Sequence, residues 1–539
     1  MRRGRSTTLL VNPPQTLYAG SQRFSKSFPL GLAYVAAVLE QAGHPVEILD
    51  TLITHSERRK RDGTEQLGMS WKRIRRAIEE RHPDIVGITC PFTTQIENAS
   101  RVSAIVKEID PDILTVLGGP DASVRASDIL KQVETLDVAV IGEGEYTMLE
   151  LVARHDRGDM GGIENITGIA YRKGREVVVN PRRDFIGNLD ELPLPAYHLF
   201  DMDAYLDPRD EQLYAWRCRM RSRQLPVITS RGCPYDCVFC SVHLHMGKKW
   251  RPHSAGRVLD HLSFLTQRYG VNHIHFEDDN FTLNRRRALA ILDGLLEKVI
   301  QITWDTPNGV RADLLGRDML AKMKQTGCLS LTVGVESGDQ QVLERIVGKR
   351  LELTRVVDTA RACQEVGLPL QAFFVVGFPG ERIENIERSV AFGEMLAESH
   401  GVNLHFLVAT PLPGTRLHQI CRDEGYLVKE PTPRALAVAT QADGEPLIRT
   451  ESFGPEDLKR ILIRQLERAA LRERQRQLRE ASRRFARLGR AGGFLAALYV
   501  SRFGRGSRAA LRPLVWRVRS AKSSRDRRRN ELAKRVTGS

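Results

Sequence analysis

The sequence predicts an α/β protein. An amino-terminal doubly wound, Rossmann-like domain precedes a partial (β/α)6 barrel and a basic helical carboxy-terminal region. Three observations carry this prediction. Short apolar strands alternate with helices from residue 7 to about residue 155. A second alternation, with six strands, begins at Val227. The charge then changes abruptly, with 21 Lys+Arg against 4 Asp+Glu from residue 471 onward, whereas the first 470 residues carry 60 against 62. A chain of 539 residues exceeds one hydrophobic core. The expected divisions are 1–155, a connector at 156–225, 226–430 and 431–539.

In the first domain, residues 7–12 read as a buried strand closed by Pro13-Pro14. Residues 29–42 read as a helix with Pro29 at its start and Gly43 at its end. Val46–Leu49 is a second strand, and the polar stretch 55–70 reads as a mobile loop. Helix 71–81, strand 84–89, helix 94–109, strand 113–117 and strand 137–141 follow, the last leading into another helix. Ligands of such sheets bind beyond the carboxyl ends of the strands. Those ends carry Asn12-Pro13-Pro14, Cys90-Pro91-Phe92-Thr93, Gly118-Gly119-Pro120 and Gly142-Glu143-Gly144-Glu145. Each turn alone is ordinary, but four at successive strand ends predict a ligand platform. The connector holds a hairpin at 168–179 and the proline-rich Leu192-Pro193-Leu194-Pro195.

The barrel strands are expected at 227–230, 273–277, 302–304, 329–335, 371–376 and 404–409. The loop after the first holds Cys233, Cys237 and Cys240, a Cys-x3-Cys-x2-Cys run at the end of the barrel where active sites lie. Eight cysteines in the whole chain are too few for a disulfide scaffold, and Cys90, Cys218, Cys328, Cys363 and Cys421 read as isolated core residues. Three thiolates can hold three irons of a four-iron cluster and leave the fourth open to a ligand. A zinc site needs a fourth ligand, which His243 or His245 could supply on position alone. The later strand ends carry Glu277-Asp278-Asp279-Asn280, Asn308-Gly309-Val310-Arg311-Ala312-Asp313, Gly334-Val335-Glu336-Ser337-Gly338, Gly377-Phe378-Pro379-Gly380-Glu381 and Pro411-Leu412-Pro413-Gly414-Thr415. Asp313 and Glu381 are best read as a helix N-cap or a surface ion pair, while the rim as a whole suits a polar ligand.

The cysteine run, with Gly334-Val335-Glu336-Ser337-Gly338 and Gly377-Phe378-Pro379-Gly380-Glu381, closely resembles the radical S-adenosylmethionine enzymes. The amino-terminal part resembles the cobalamin-binding domain of one large subgroup through Asn12-Pro13-Pro14, Pro29-Leu30-Gly31-Leu32-Ala33-Tyr34, Val86-Gly87-Ile88-Thr89, Gly118-Gly119-Pro120 and Gly142-Glu143-Gly144-Glu145. The resemblance spans roughly residues 7–430. It implies a 4Fe-4S cluster on Cys233, Cys237 and Cys240, with S-adenosylmethionine on the open iron. One electron would split the sulfonium, and the resulting 5′-deoxyadenosyl radical would take hydrogen from an unactivated carbon. Cobalamin would then deliver a methyl group or take part in another radical outcome.

The resemblance also implies residue roles. Phe239 and Gly377 would border adenine and Glu336 the ribose, with Ser337 also among the S-adenosylmethionine-binding residues. Asp279 and Arg311 would meet the methionine end. Asn12, Pro13, Thr89, Thr93, Gly118, Gly119, Gly142, Glu143 and Gly144 would line the cobalamin. In many such domains an Asp-x-His-x-x-Gly motif supplies a histidine to cobalt. That motif is absent, and His55 follows Asp50 at the wrong spacing. Cobalamin is therefore expected without a protein histidine, unless the domain keeps the fold and has lost the cofactor.

Residues 455–490 read as a helix that becomes arginine-rich, followed by Phe494-Leu495-Ala496-Ala497-Leu498-Tyr499-Val500 and more arginine. Such a tail can be solvated, can lie on an anionic membrane, or can bind nucleic acid, in that order of expectation. The amino terminus lacks the apolar run of a signal peptide, and no stretch reaches 18 apolar residues, which predicts a cytoplasmic protein, peripheral to the inner membrane face if the tail binds lipid. The expected activity is methylation of a small-molecule or lipid-like substrate, fed by an electron donor such as flavodoxin or ferredoxin. The alternatives are a radical ring-former of the anaerobic porphyrin cyclase type and a non-catalytic protein with a vestigial core.

Overall fold

The structure is a computed structural model. It describes residues 5–18, 26–53, 57–61, 64–210, 213, 222–439 and 444–485. Cys218, His55 and the tail beyond residue 485 lie outside the described residues, as do the expected membrane or nucleic-acid contacts of that tail. The chain as far as Leu462 forms one compact unit. Among the described residues, no helix is long and apolar enough to cross a membrane.

The amino-terminal sheet is built on five parallel strands, Thr8–Asn12, Val46–Asp50, Ile85–Thr89, Leu114–Gly118 and Val138–Val140. Thr8–Asn12 lies between Val46–Asp50 and Ile85–Thr89, and Leu114–Gly118 and Val138–Val140 follow beyond Ile85–Thr89. This is the doubly wound order 2-1-3-4-5, whose direction reverses beside the first strand, the place where such sheets bind ligands. The apolar faces explain the layering. Leu9, Val11, Val86 and Ile88 pack with Ile74, Val102 and Ile105 in one core, while Leu10, Ile85 and Val116 join the core formed with Ala33, Ala37 and Leu151.

Two hairpins depart from the sequence expectation. The hairpin placed in the connector, Ile169–Lys173 with Glu176–Val179, instead extends the amino-terminal sheet antiparallel to Val138–Val140. The segment expected as a mobile loop contains strands Glu57–Arg61 and Thr64–Gly68, which with Gln15–Tyr18 form a separate three-stranded antiparallel sheet. Its charged residues hid the strand signal, because the apolar side chains alternate only at Leu17 and Leu67. Thr16, Gln95 and Asn98 tie this small sheet to helix Ile96–Ile109. Helix Pro433–Ala439 packs beside it.

The barrel has six parallel strands in sequential order: Gln224–Val227, His273–Phe276, Thr303–Val310, Cys328–Glu336, Leu370–Val376 and Asn403–Val408. Its first and last strands are not paired, so the barrel is open. The first strand ends where the expected one began, and Ser230–Arg231 instead pairs antiparallel with Arg251–Pro252. The third strand is longer than expected. Helix Pro455–Phe485 closes the described chain and brings Leu458 against Gly377.

Candidate active site

The cysteine loop is pinned from below by Asp278, which is buried at the end of its strand. It accepts from the Thr229 amide at 2.7 Å, and from the Thr229 and Ser230 hydroxyls at 2.6 Å each. Arg287 donates to the Thr229 and His253 carbonyls, fixing the same segment. The Cys233 amide donates to Gly247 O at 3.2 Å, and the Val238 amide to Val347 O at 2.9 Å. The loop therefore presents three half-buried, unbridged thiols. Burial raises all three above the ordinary thiol value, Cys237 to about 11 and Cys240 to about 12. A bound metal reverses that preference by taking the thiolate.

Among the described residues, His273, His275 and Asp305 form a group whose ligand atoms all lie within 4.8 Å of one another.

Around this loop the rim residues divide by what they have left to offer. Arg311 is buried, stacks on Tyr235 at 4.0 Å, and forms a fork to Asp313 at 3.0 and 2.8 Å. Its Nη1 has no partner among the described residues. A buried cation with one free donor beside the cysteine loop suits a ligand carboxylate. Asp279 is raised to about 7, chiefly by burial and then by Asp278, while the Gly232 backbone amide opposes the shift. Phe239 packs on Phe378 at 5.7 Å, so the aromatic of the cysteine loop meets the Gly377–Glu381 loop. Glu381 is buried and accepts from the Gly377 and Phe378 amides at 2.7 Å each, which is neither the helix N-cap nor the surface ion pair expected of it.

Glu336 adopts φ +69, a left-handed conformation that costs a residue with a Cβ about 1–2 kcal/mol. The carboxylate is held by Lys349 Nζ at 2.8 Å, and both groups are buried. Lys349 carries no motif, and sequence reasoning missed it. Ser337 accepts from the Asp339 amide at 3.1 Å and bonds the Ser389 hydroxyl of helix Ile383–His400 at 2.9 Å.

Asn12, Pro13, Thr89, Thr93, Gly118, Gly119, Gly142, Glu143 and Gly144 all lie at the carboxyl ends of the parallel strands or in the loops just after them. Gly118 faces open space, with nothing within 4 Å of where a Cβ would stand. Gly119 has φ +107, and a Cβ there would meet the Cys90 carbonyl at 2.7 Å. Phe92 is 62% exposed at the neighbouring strand end. An open glycine-lined shelf with an exposed aromatic fits a large flat ligand. Three side chains are committed elsewhere. Asn12 donates to Asp50 at 3.1 Å, Thr93 donates to Asp121 at 2.6 Å, and Glu143 points into the barrel domain. The described histidines of this domain, His44, His82 and His155, lie toward the amino ends of the strands.

Glu143 shows how the halves meet. Its carboxylate accepts from Arg231 at 2.9 Å, from Arg251 at 2.8 and 2.9 Å, and from the Ile186 amide at 2.7 Å. Glu145 accepts from Arg231 at 2.7 Å. Arg231 also lies over the Tyr34 ring at 5.2 Å, and the four charged side chains are 3–6% exposed.

The barrel interior has a polar floor. Helix Ile383–His400 packs through Phe392 on Phe374, which stacks on Phe406. The alternate residues Gln371, Phe373 and His405 therefore face inward. Likewise Phe276 and Trp304 join the apolar core, leaving His273, His275 and Asp305 inward. His275 bonds Asp305 at 2.7 Å and Gln224 at 3.0 Å. Gln371 reaches His405 at 3.1 Å and Ser330 at 3.4 Å. Burial alone would raise Asp305, but His273 and His275 outweigh it and hold the carboxyl well below the usual range. Closed barrels fill this layer with branched aliphatic side chains.

A thiol triad at the mouth of an open parallel barrel, faced by the ligand end of a doubly wound sheet, defines a two-cofactor radical enzyme. Comparison with known proteins agrees. The B12 binding domain family matches residues 20–152, and the Radical SAM superfamily matches residues 227–393. An uncharacterized methyltransferase of Pyrococcus horikoshii is 31% identical over 457 residues, 84% of this chain and 90% of the relative. Cytidylyl-2-hydroxyethylphosphonate methyltransferase of Streptomyces wedmorensis is 30% identical, over 78% of this chain and 83% of the relative. The anaerobic magnesium-protoporphyrin IX monomethyl ester cyclase of Rubrivivax gelatinosus is 26% identical, over 74% and 66%. Among solved structures, the methyltransferase TsrM of Kitasatospora setae, with cobalamin and a [4Fe-4S] cluster bound, shares the fold at a TM-score of 0.61 and 19% identity, over 79% of this chain and 76% of that one. The cobalamin-dependent radical enzyme OxsB, with aqua-cobalamin and S-adenosylmethionine bound, does so at 0.62 and 17%, over 93% and 75%. The chain belongs to the radical SAM superfamily, in the branch that carries an amino-terminal B12-binding domain.

Proposed function

We propose that this protein is a cobalamin-dependent radical S-adenosylmethionine methyltransferase that methylates an unactivated carbon of a polar small molecule. The carrying observation is the joining of the two sites: the glycine shelf and the cysteine loop meet through one buried ion network. When bound, the cluster on Cys233, Cys237 and Cys240 supplies the electron that splits S-adenosylmethionine, and the corrinoid carries the methyl group. Arg311 Nη1 receives the methionine carboxylate, and Asp279 accepts from the methionine amine. Glu336, set by Lys349, accepts from the ribose hydroxyls, and Phe239 flanks the adenine. Gly118 and Gly119 keep side chains off the corrinoid face. An electron donor of the flavodoxin or ferredoxin type serves the cluster.

The polar side chains Ser330, Gln371 and His405, which bond one another along the inner face of the last three strands, favour a hydrogen-bonding substrate over a lipid-like one. The relatives named as cyclases sustain a second reading, oxidative ring formation. Methyl-labelled S-adenosylmethionine separates the two. Label recovered in product supports methyl transfer, and product formed without label moves the assignment to the cyclase reading.

A further inference from the structure

Where the cofactor shelf approaches the cysteine loop, the described residues hold a dense, buried constellation of charge. It comprises Glu143 and Glu145 of the amino-terminal domain and Arg231 and Arg251 of the barrel. Its location decides its meaning. Glu143 and Glu145 belong to the turn after strand Val138–Val140, at the ligand end of the sheet. Arg231 stands two residues before Cys233, and Arg251 is its antiparallel partner across the short ribbon that opens the cysteine loop. The network therefore joins the last turn of one cofactor platform directly to the root of the other.

Its geometry is over-determined. Arg231 forks, with Nη1 to Glu143 at 2.9 Å and Nη2 to Glu145 at 2.7 Å. Arg251 Nη1 returns to both oxygens of Glu143 and to Ile186 O at 2.7 Å, while its Nη2 donates to Met246 O at 2.7 Å. Tyr34 and Phe185 cover the two guanidinium groups at 5.2 and 4.9 Å. Gly232, next to Arg231, has φ +84, and a Cβ there would meet Lys249 O at 2.5 Å, so the loop root packs closely enough to require glycine. A planar guanidinium held on two carboxylates fixes direction as well as distance, which a lysine cannot do. Plain domain adhesion could be met by apolar packing at less desolvation cost.

We propose that Arg231, with Glu143, Glu145 and Arg251, is a positioning device that sets the cobalt-to-cluster distance and orientation, distinct from any contact with either cofactor. It rests on the assignment of a corrinoid to the strand-end shelf. A displacement of about 1 Å between reacting groups costs on the order of a hundredfold in rate, so a fixed separation has a direct consequence for group transfer between the two platforms.

The test uses reconstituted full-length protein and the variants Arg231→Met and Glu145→Gln. Pulsed EPR reads the dipolar coupling between the reduced cluster and cob(II)alamin. Iron content, hydroxocobalamin affinity and 5′-deoxyadenosine formation are followed alongside. The expected result is a narrow distance distribution in the parent and a broadened one in Arg231→Met, with iron content and 5′-deoxyadenosine formation within about threefold of the parent. Glu145→Gln, which keeps an acceptor for Arg231, should fall between them. A distribution as narrow in Arg231→Met as in the parent, whether or not its melting temperature falls, overturns the positioning role and leaves the corrinoid assignment standing. A parent that binds no hydroxocobalamin overturns both. If Arg231→Met fails to fold, Glu145→Gln decides alone: broadening supports the device, and an unchanged distribution rejects it.

Discussion

Removal of the Lys349 ammonium should damage both stability and S-adenosylmethionine binding. Lys349 Nζ lies 2.8 Å from Glu336 Oε1, and the two side chains are 8% and 10% exposed. At an effective dielectric of about 20 the attraction across that distance is about 6 kcal/mol. Desolvation of both ions consumes much of it, so the useful quantity is the cost of orphaning one of them. Lys349→Met leaves Glu336 buried without its counter-ion, next to a Gly334 carbonyl that also loses a donor, and should cost about 3–5 kcal/mol. The double variant Lys349→Met/Glu336→Gln removes the stranded charge and should recover about 2 kcal/mol of that loss. Anaerobic urea unfolding followed by tryptophan fluorescence reads both, with the parent and the Glu336→Gln single variant completing the cycle. Equilibrium dialysis should show weaker S-adenosylmethionine binding in both single variants, because the carboxylate assigned to the ribose loses either its charge or its hold. A Lys349→Met loss of about 1 kcal/mol or less, the range of an exposed pair, with unchanged ligand affinity, would refute the reasoning.

Three further outcomes follow from other parts of the site. Burial raises Glu381 from 4.5 to about 7, against the opposing Phe378 and Gly377 amides. The folded protein therefore holds this proton more tightly than the unfolded chain, and the stability that Glu381 contributes should be full below pH 4.5 and be lost, by about 3 kcal/mol, as pH rises to 7. Glu381→Gln should flatten that decline, and parallel stability profiles for variant and parent would contradict the assignment. Gly119→Ala should lower the melting temperature and weaken hydroxocobalamin retention, since the new Cβ meets the Cys90 carbonyl at 2.7 Å in a left-handed backbone; an unchanged melting temperature would count against the observed turn. Arg311→Lys keeps the charge but loses the fork to Asp313 and the free Nη1, so S-adenosylmethionine affinity should fall about tenfold, read by dialysis, and equal affinity would remove Arg311 from the site.

The legible part of this protein was its periodicity and its glycines. The five parallel strands of the first sheet and the six of the barrel are short apolar runs bounded by turn residues, a signal local enough to read from sequence. Glu57–Arg61 and Thr64–Gly68 were missed because a small sheet covered on one side by polar groups leaves almost no apolar alternation. The hairpin Ile169–Val179 is legible as a hairpin but its place is not, because an antiparallel addition to a parallel sheet depends on which edge is free. The cysteine loop was readable since three thiolates at fixed spacing have few other uses. Arg231, Arg251 and Lys349 were not, because an arginine or lysine becomes informative only when its buried partner is known. Glu143 sat in a turn read as a ligand contact, and the fold instead turns its side chain to the arginines of the barrel.

The account stands most directly on the thiol triad as the holder of a cluster that cleaves S-adenosylmethionine. The deciding measurement is 5′-deoxyadenosine formed under strong reductant by the anaerobically reconstituted parent and by Cys237→Ala. The parent should form it and carry about four irons per chain, and the variant should lose both the cluster absorbance and the product. Cleavage of S-adenosylmethionine that survives in Cys237→Ala would contradict the account.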